Sequence, residues 1–306
     1  KLAAQLLGFV GSDDQGLEGL EAKLDSVLKG SKGKQNIFTD NQGRPIFQSV
    51  FSLKSPEEGR KVLLTIDQNI QFIVEQSLDK AMAATGSAAA TAIVMDPKTG
   101  DVLAMVSRPT YNPNQFWKGG PGEWRNRAVA NVYEPGSTFK SIVVAAALNE
   151  GTVHPGQWFQ DNGAIEVSGR RIQNWSGESY GAVPLEAVIK QSLNTGFVQI
   201  GLGLGGERLT RYARDFGFGR PTGIDLAGEE EGILFEPKDM RDSDIATMAI
   251  GQSIAITPLQ LVTAVSALAN DGVLLKPHII KEVQNGDGSV QQAYATEVVR
   301  RVIRSE

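Results

Sequence analysis

The stretch Tyr133-Glu134-Pro135-Gly136-Ser137-Thr138-Phe139-Lys140 leads into the apolar run Ile142-Val143-Val144-Ala145-Ala146-Ala147-Leu148. Pro135 and Gly136 permit a sharp turn, and the run predicts a helix from near Ser137 to Glu150, ended by Gly151. A hydroxyl in the first helical turn sits at the positive end of the macrodipole, beside N–H groups without intrahelical partners. An alkoxide or a tetrahedral oxyanion is stabilised there. Lys140 follows one turn later, about 4.5 Å along the axis and on the same face. Burial in such an apolar helix lowers an amine's pKa, so that it can accept the serine proton. Ser137 is the candidate nucleophile and Lys140 its candidate base. Taken alone, S-x-x-K is far more often a capping serine and a solvated lysine.

A second segment changes that balance. Gln191-Ser192-Leu193-Asn194 falls between two helical patterns, where a loop can turn both polar side chains one way. Ser192 can then relay a proton to a leaving amine. Asn194 can orient a substrate amide and hydrogen-bond Lys140, although it also fits as a helix N-cap. S-x-x-K followed by S-x-N forms a constellation that neither half makes alone.

Composition narrows the chemistry further. The 306 residues are 41% hydrophobic and 21% charged, with a net charge of −5. These are values of a folded protein, long enough for about two domains. No Lys/Arg-rich run is present, so nucleic acid is not an expected partner. Cysteine is absent, which excludes thiol nucleophiles, disulfides and Cys-ligated metals. The two histidines, His154 and His278, have no metal-ligand spacing, so neither metal nor cofactor is expected. No apolar run reaches the roughly 18 residues that span a bilayer, and no signal peptide is visible. Both ends read as cut.

Outward from the centre, the spacing of Leu17, Leu20, Leu24 and Leu28 predicts one amphipathic helix over 17–28. Strands are expected at 37–38 and 45–53 around Asn41-Gln42-Gly43, and a linker at 55–59. A strand over 62–66 precedes a helix over 68–83, capped by Asp67, with Ile70, Ile73, Val74 and Leu78 on one face. Segments 90–95 and 102–106 read as a hairpin around Asp96-Pro97-Lys98-Thr99-Gly100-Asp101. Residues 107–134 lack a period and read as a long surface stretch, and 156–180 as loops with short strands. Helices are expected from Pro184, over 194–201, over 207–216 and over 259–268. A second hairpin, 279–283 with 289–294, closes on Asn285-Gly286-Asp287-Gly288. Helices cluster in the middle with strand hairpins on either side. The expected class is α+β, an antiparallel sheet flanked by helices, with a small N-terminal pedestal. The expected division is 1–58 for the pedestal and linker and 59–306 for the catalytic domain.

With S-x-x-K and S-x-N in place, the chain resembles the penicillin-recognising serine enzymes, and among them the class B (monofunctional) penicillin-binding proteins. The resemblance is carried by Gly8-Phe9-Val10-Gly11, Gly16-Leu17-Glu18-Gly19-Leu20-Glu21, Leu64-Thr65-Ile66-Asp67, Asp96-Pro97-Lys98-Thr99-Gly100, Gly251-Gln252-Ser253 and Thr257-Pro258-Leu259-Gln260-Leu261. It implies peptidoglycan D,D-transpeptidation of stem peptides ending in D-Ala-D-Ala, through an acyl-serine that β-lactam antibiotics also form. It further implies work beside the cell-wall synthesis machinery on the outer face of the bacterial cytoplasmic membrane, through an anchor not seen in this sequence. By motif, Ser137 is nucleophile, Lys140 base, Ser192 relay and Asn194 positioner. Trp175 is a further candidate for lining the substrate cleft.

The resemblance also calls for a K-[ST]-G strand after S-x-N. The literal Lys98-Thr99-Gly100 precedes the nucleophile and reads as a hairpin turn. None follows Asn194, and truncation before that strand is the expectation, with poor acylation of residues 1–306 alone. Gly201-Leu202-Gly203-Leu204-Gly205-Gly206 matches a dinucleotide fingerprint in letters, but a helix precedes it where a strand is needed. Asn174-Trp175-Ser176 matches a glycosylation sequon and carries no weight. Two other readings stand beside the first: a serine β-lactamase or β-lactam sensor, and a non-catalytic cell-wall scaffold.

Overall fold

A computed structural model describes residues 1–36, 38, 40–42, 44, 46 and 51–306. The N-terminal segment runs α1 (Ala4–Leu7), β1 (Phe9–Val10), β2 (Gly16–Glu18), α2 (Gly19–Lys23), α3 (Asp25–Leu28), β3 (Lys34–Asn36) and β4 (Phe51–Lys54). The single helix expected over 17–28 is thus a strand followed by two short helices. The reason is steric. Gly19 takes φ +62°, and a Cβ there would lie 2.6 Å from Gly8 N. This close glycine–glycine contact bends the chain and overrides the leucine period. Strands β3 and β4 pair antiparallel, while much of the expected 37–38 and 45–53 hairpin lies outside the described residues. The 55–59 stretch is pinned through the Ser31–Glu57 backbone pair and by Arg60 N–H donating to Val27 O.

Next come β5 (Lys61–Leu64), α4 (Gln68–Thr85), β6 (Ala90–Met95) and β7 (Val102–Arg108). Asp67 caps α4 as expected, its Oδ1 accepting from Asn69 N and Ile70 N at 2.8 and 2.9 Å. On α4, three of the four apolar residues expected on one face, Ile70, Val74 and Leu78, are half-buried. Gln71 and Glu75 are its buried residues, and Ile73 is exposed. Gln71 takes the place of a neighbouring strand at the edge of β7: its Nε2 donates to Met105 O and its Oε1 accepts from Met105 N. Pairing an open sheet edge outweighs the burial of one isoleucine. Strands β6 and β7 form the predicted antiparallel hairpin, with Lys98-Thr99-Gly100 in its turn.

Residues 107–134 are more than surface. A 3₁₀ turn (Pro113–Lys118) is followed by α5 (Pro121–Trp124) and α6 (Arg127–Ala130), and Ala128 and Val129 are buried. Phe9 from the N-terminal segment stacks on Phe116 at 4.2 Å and meets the edges of Tyr111 and Trp124, so aromatic pairing ties the two stretches together.

The central region holds α7 (Lys140–Glu150), β8 (Trp158–Asp161), β9 (Ala164–Val167), β10 (Arg170–Gln173), β11 (Gly181–Pro184), α8 (Leu185–Lys190), α9 (Asn194–Leu204), α10 (Gly206–Asp215), α11 (Asp242–Met248) and α12 (Pro258–Ala269). Thr257 and Gln260 form a capping box at the start of α12. The glycines of 201–206 close α9 and open α10, with Gly205 at φ +83°. They are helix junctions, as expected. Gly201 also lets α11 approach, since a Cβ there would lie 2.4 Å from Ala249 Cβ. The chain ends with β12 (Val273–Leu275), β13 (Ile280–Gln284), β14 (Val290–Ala293) and β15 (Val298–Arg301). Strand β13 pairs with β5 and β14, and β12 with β15, every ladder antiparallel.

The fold is α+β. One core lies among the helices, around Phe139, Ile142, Phe197, Phe216, Phe218 and Met248. A second joins the β6–β7 hairpin to the N-terminal segment through Ala3, Leu6, Leu20, Val102 and Met105. Helix α7 runs through the first core, which is why its N-terminal lysine ends up buried.

Candidate active site

The serine stands in a 3₁₀ turn, Gly136–Phe139, that leads directly into α7. Phe139 is fully buried and anchors the turn, while Ser137 is exposed. The turn is held from across the molecule. Gly136 N–H donates to Gly251 O at 2.9 Å, and Ser253 N–H donates to Glu134 Oε1 at 2.9 Å. Gly251 has φ +78°, and a Cβ on it would lie 1.9 Å from Gly136 O. Only glycine permits this approach. The sequence reading noted Gly251-Gln252-Ser253 as a motif without giving it a role. Positive φ cannot be read from letters, although a Gly beside a helix end is the signal that was available.

Lys140 is 3% exposed. Its Nζ contacts Asn194 Oδ1 at 2.6 Å, Ser192 O at 2.8 Å and Ser192 Oγ at 3.0 Å. The ring of Phe197 lies 5.1 Å away. All these partners are neutral. Burial pushes the amine down from 10.5 to about 8, and no carboxylate restores it. The hydrogen-bond count fits a neutral amine: two N–H bonds go to the acceptor-only oxygens, Ser192 O and Asn194 Oδ1, and the lone pair is left for a hydroxyl. As an ammonium, Lys140 spends its third N–H on Ser192 Oγ. The Ser137 hydroxyl makes no hydrogen bond among the described residues.

The S-x-N segment turns as expected between α8 and α9. Ser192 takes a left-handed backbone, φ +53°, costly for a residue with a Cβ. Its amide is held by Ile189 O and its carbonyl by Lys140. Asn194 does not cap α9. Leu193 is the N-cap, which frees the Asn194 side chain to bridge Lys140 and the Gln173 carbonyl, the latter at 2.8 Å. Lys140, Ser192 and Asn194 are therefore brought together, with Ser137 one turn before the lysine. Trp175 is not packed among them. It is fully exposed, in a turn just past β10 and Gln173.

Three neutral oxygens surround a buried amine one turn beyond a serine in a tight turn. Comparison with known proteins places that arrangement in a family. The family model for the penicillin binding protein transpeptidase domain matches residues 90–306, and that for the penicillin-binding protein dimerisation domain matches residues 2–64. The chain belongs to the penicillin-binding protein transpeptidase family, in its class B branch. It is 43% identical over 281 residues to stage V sporulation protein D of Bacillus subtilis, covering 91% of this chain and 44% of that protein. It is 31% identical over 307 residues to the peptidoglycan D,D-transpeptidase FtsI of Escherichia coli K12, covering 99% of this chain and 50% of that one. The crystal structure of penicillin binding protein 3 from Mycobacterium tuberculosis complexed with ampicillin superposes with a TM-score of 0.87 at 32% identity, covering 99% of this chain and 64% of that one. The chain spans about half the length of the curated relatives it matches.

Proposed function

We propose that this chain carries the acylating half of a peptidoglycan D,D-transpeptidase. Ser137 Oγ attacks the carbonyl between the two terminal D-alanines of a stem peptide. The C–Oγ bond forms, the peptide C–N bond breaks, and D-Ala leaves. The serine proton passes to Lys140 Nζ and on, through Ser192 Oγ, to the leaving amine. An amine of a neighbouring stem then attacks the acyl-serine; a new amide forms, the C–Oγ bond breaks, and a proton returns to Ser137. Asn194 divides its amide between Lys140 and the β10 edge, and so holds the relay in line. Trp175, on the exposed rim, offers an apolar face to the incoming stem. Domains divide near residue 58, with the catalytic module after it.

The observation that carries this reading is the buried amine of Lys140, which touches Ser192 Oγ and Asn194 Oδ1 and no carboxylate. A permanently charged lysine would offer Ser137 no base. β-Lactams acylate the same serine under this reading, as expected of an enzyme similar to a protein solved with ampicillin. The natural setting is the outer face of the cytoplasmic membrane, beside other cell-wall enzymes and held by an anchor.

The test is covalent labelling by a fluorescent penicillin, with the protein expressed at its natural length. The wild type is expected to form a long-lived adduct that Ser137→Ala abolishes. Release of the adduct within seconds would favour a β-lactamase instead. Labelling of neither would leave only a scaffold, and equal labelling of wild type and Ser137→Ala would remove Ser137 as the nucleophile.

A further inference from the structure

Behind the S-x-N turn lies a buried carboxylate with no cationic partner among the described residues. Asp161, at the end of β8, is 1% exposed. Its Oδ1 accepts from Thr195 Oγ1 at 2.6 Å, Asn174 Nδ2 at 2.9 Å and Gly163 N at 3.0 Å, and its Oδ2 accepts from Tyr180 N at 2.9 Å. Burial alone would raise its pKa. The bonds from Thr195, Gly163, Tyr180 and Asn174 outweigh that and hold it below the usual carboxylate value. An ionised group with only neutral donors stays buried because those donors are complete and because it faces the N-terminus of α9.

Two of these donors, Thr195 and Asn174, come from stretches that meet at the candidate site. Thr195 follows Asn194, and Asn174 follows Gln173. Asn194 Nδ2 donates to Gln173 O at 2.8 Å, and Thr195 N donates to Asn174 Oδ1 at 3.3 Å. Residues 173–174 and 194–195 are thus laced pairwise, and Asp161 bonds both second members. Through Gly163 N and Tyr180 N it also holds the ends of the rim that carries Trp175.

We propose that Asp161 is a positioning residue: through Thr195 and Asn174 it sets the start of α9, and with it the reach of Asn194 to the Lys140 amine. This rests on the reading of Lys140 as the base. Asp161 touches no reacting atom. It acts by keeping Asn194 from rotating with the first turn of its helix, where a displacement of about 1 Å can cost up to 10²-fold in rate.

Thr195→Val separates positioning from bulk, since it keeps the shape and removes the donor. Thr195→Ser restores the donor. In stopped-flow labelling at natural length, Thr195→Val is expected to lower the first-order acylation constant about tenfold. Initial penicillin affinity should change by no more than about twofold, with Thr195→Ser close to wild type. Asp161→Asn, which turns an amide N–H2 toward N–H donors, should lose more, and if it does not fold the threonine pair decides. An acylation constant unchanged in Thr195→Val overturns the proposal, as does an equal loss in Thr195→Ser. If Ser137→Ala still labels, the failure lies with the catalytic reading and not with Asp161.

Discussion

Lys140 and Arg108 are both nearly sealed from solvent, at 3% and 7% exposure, yet burial acts on them in opposite directions. Arg108 lies between two carboxylates. Its Nε donates to Asp79 Oδ1 at 2.5 Å and its Nη2 to Asp79 Oδ2 at 3.0 Å and Glu75 Oε2 at 3.3 Å. Its pKa is raised, first by the hydrogen bond it donates to Asp79, and its charge is permanent. Glu75 Oε1 also accepts Ala3 N at 2.8 Å, so this ion cluster fastens the N-terminal segment to α4 and β7. Lys140 meets only neutral oxygens and an aromatic ring, and its amine is lowered to about 8. Burial does not by itself make a charged residue structural or chemical. The charge of what it is buried against decides which.

The sharpest way to break this contrast is to give the lysine site an arginine. Lys140→Arg keeps a cation of similar length that cannot serve as a base near neutral pH. Acylation by a fluorescent penicillin should fall about 10³-fold, within the usual contribution of a general base. Rates within tenfold of wild type would mean that the amine works only as a charge.

The complementary change acts on stability. Arg108→Met leaves Glu75 and Asp79 facing each other without their cation, and should cost about 3 kcal/mol in denaturant unfolding. The acylation rate of the folded protein should hardly move. A large loss of rate with little loss of stability would show that the two regions are coupled and not divided as described.

The smallest effect is the pH profile. With the Lys140 amine at about 8, roughly a tenth of it is neutral at pH 7 and most of it at pH 9. Acylation should therefore climb about tenfold over that interval and then level off. The same shift links to stability. Between about 8 and 10.5 the unfolded chain holds the lysine proton that the folded chain has released, so this group's contribution to stability grows as pH rises through that window. A rate flat from pH 7 to pH 9 would contradict a base of this kind.

Legibility followed range. The Asp67 cap, the β6–β7 hairpin and the Gly151 stop were readable because each rests on residues within a few positions of one another. The burial of Gln71 on α4 was not legible, because it answers the edge of β7, a strand some thirty residues away that no periodicity reports. The 17–28 helix failed because Gly19 must meet Gly8. At the site, Ser137, Lys140, Ser192 and Asn194 stood out by spacing, whereas Asp161 and Gly251 did not. Asp161 fell inside the 156–180 stretch read as loops with short strands, and its importance lies in donors gathered from the residue after β10, the rim and α9.

The sequence by itself determined the family, the one-turn phase between Ser137 and Lys140, and the absence of thiol chemistry, because all of these depend on residue type and local helical geometry. The tertiary structure decided how tightly Lys140 holds its proton. A proton's affinity depends on the water excluded and the dipoles brought within reach, and both are supplied by Ser192, Asn194 and Phe197, which join the lysine only when the chain folds.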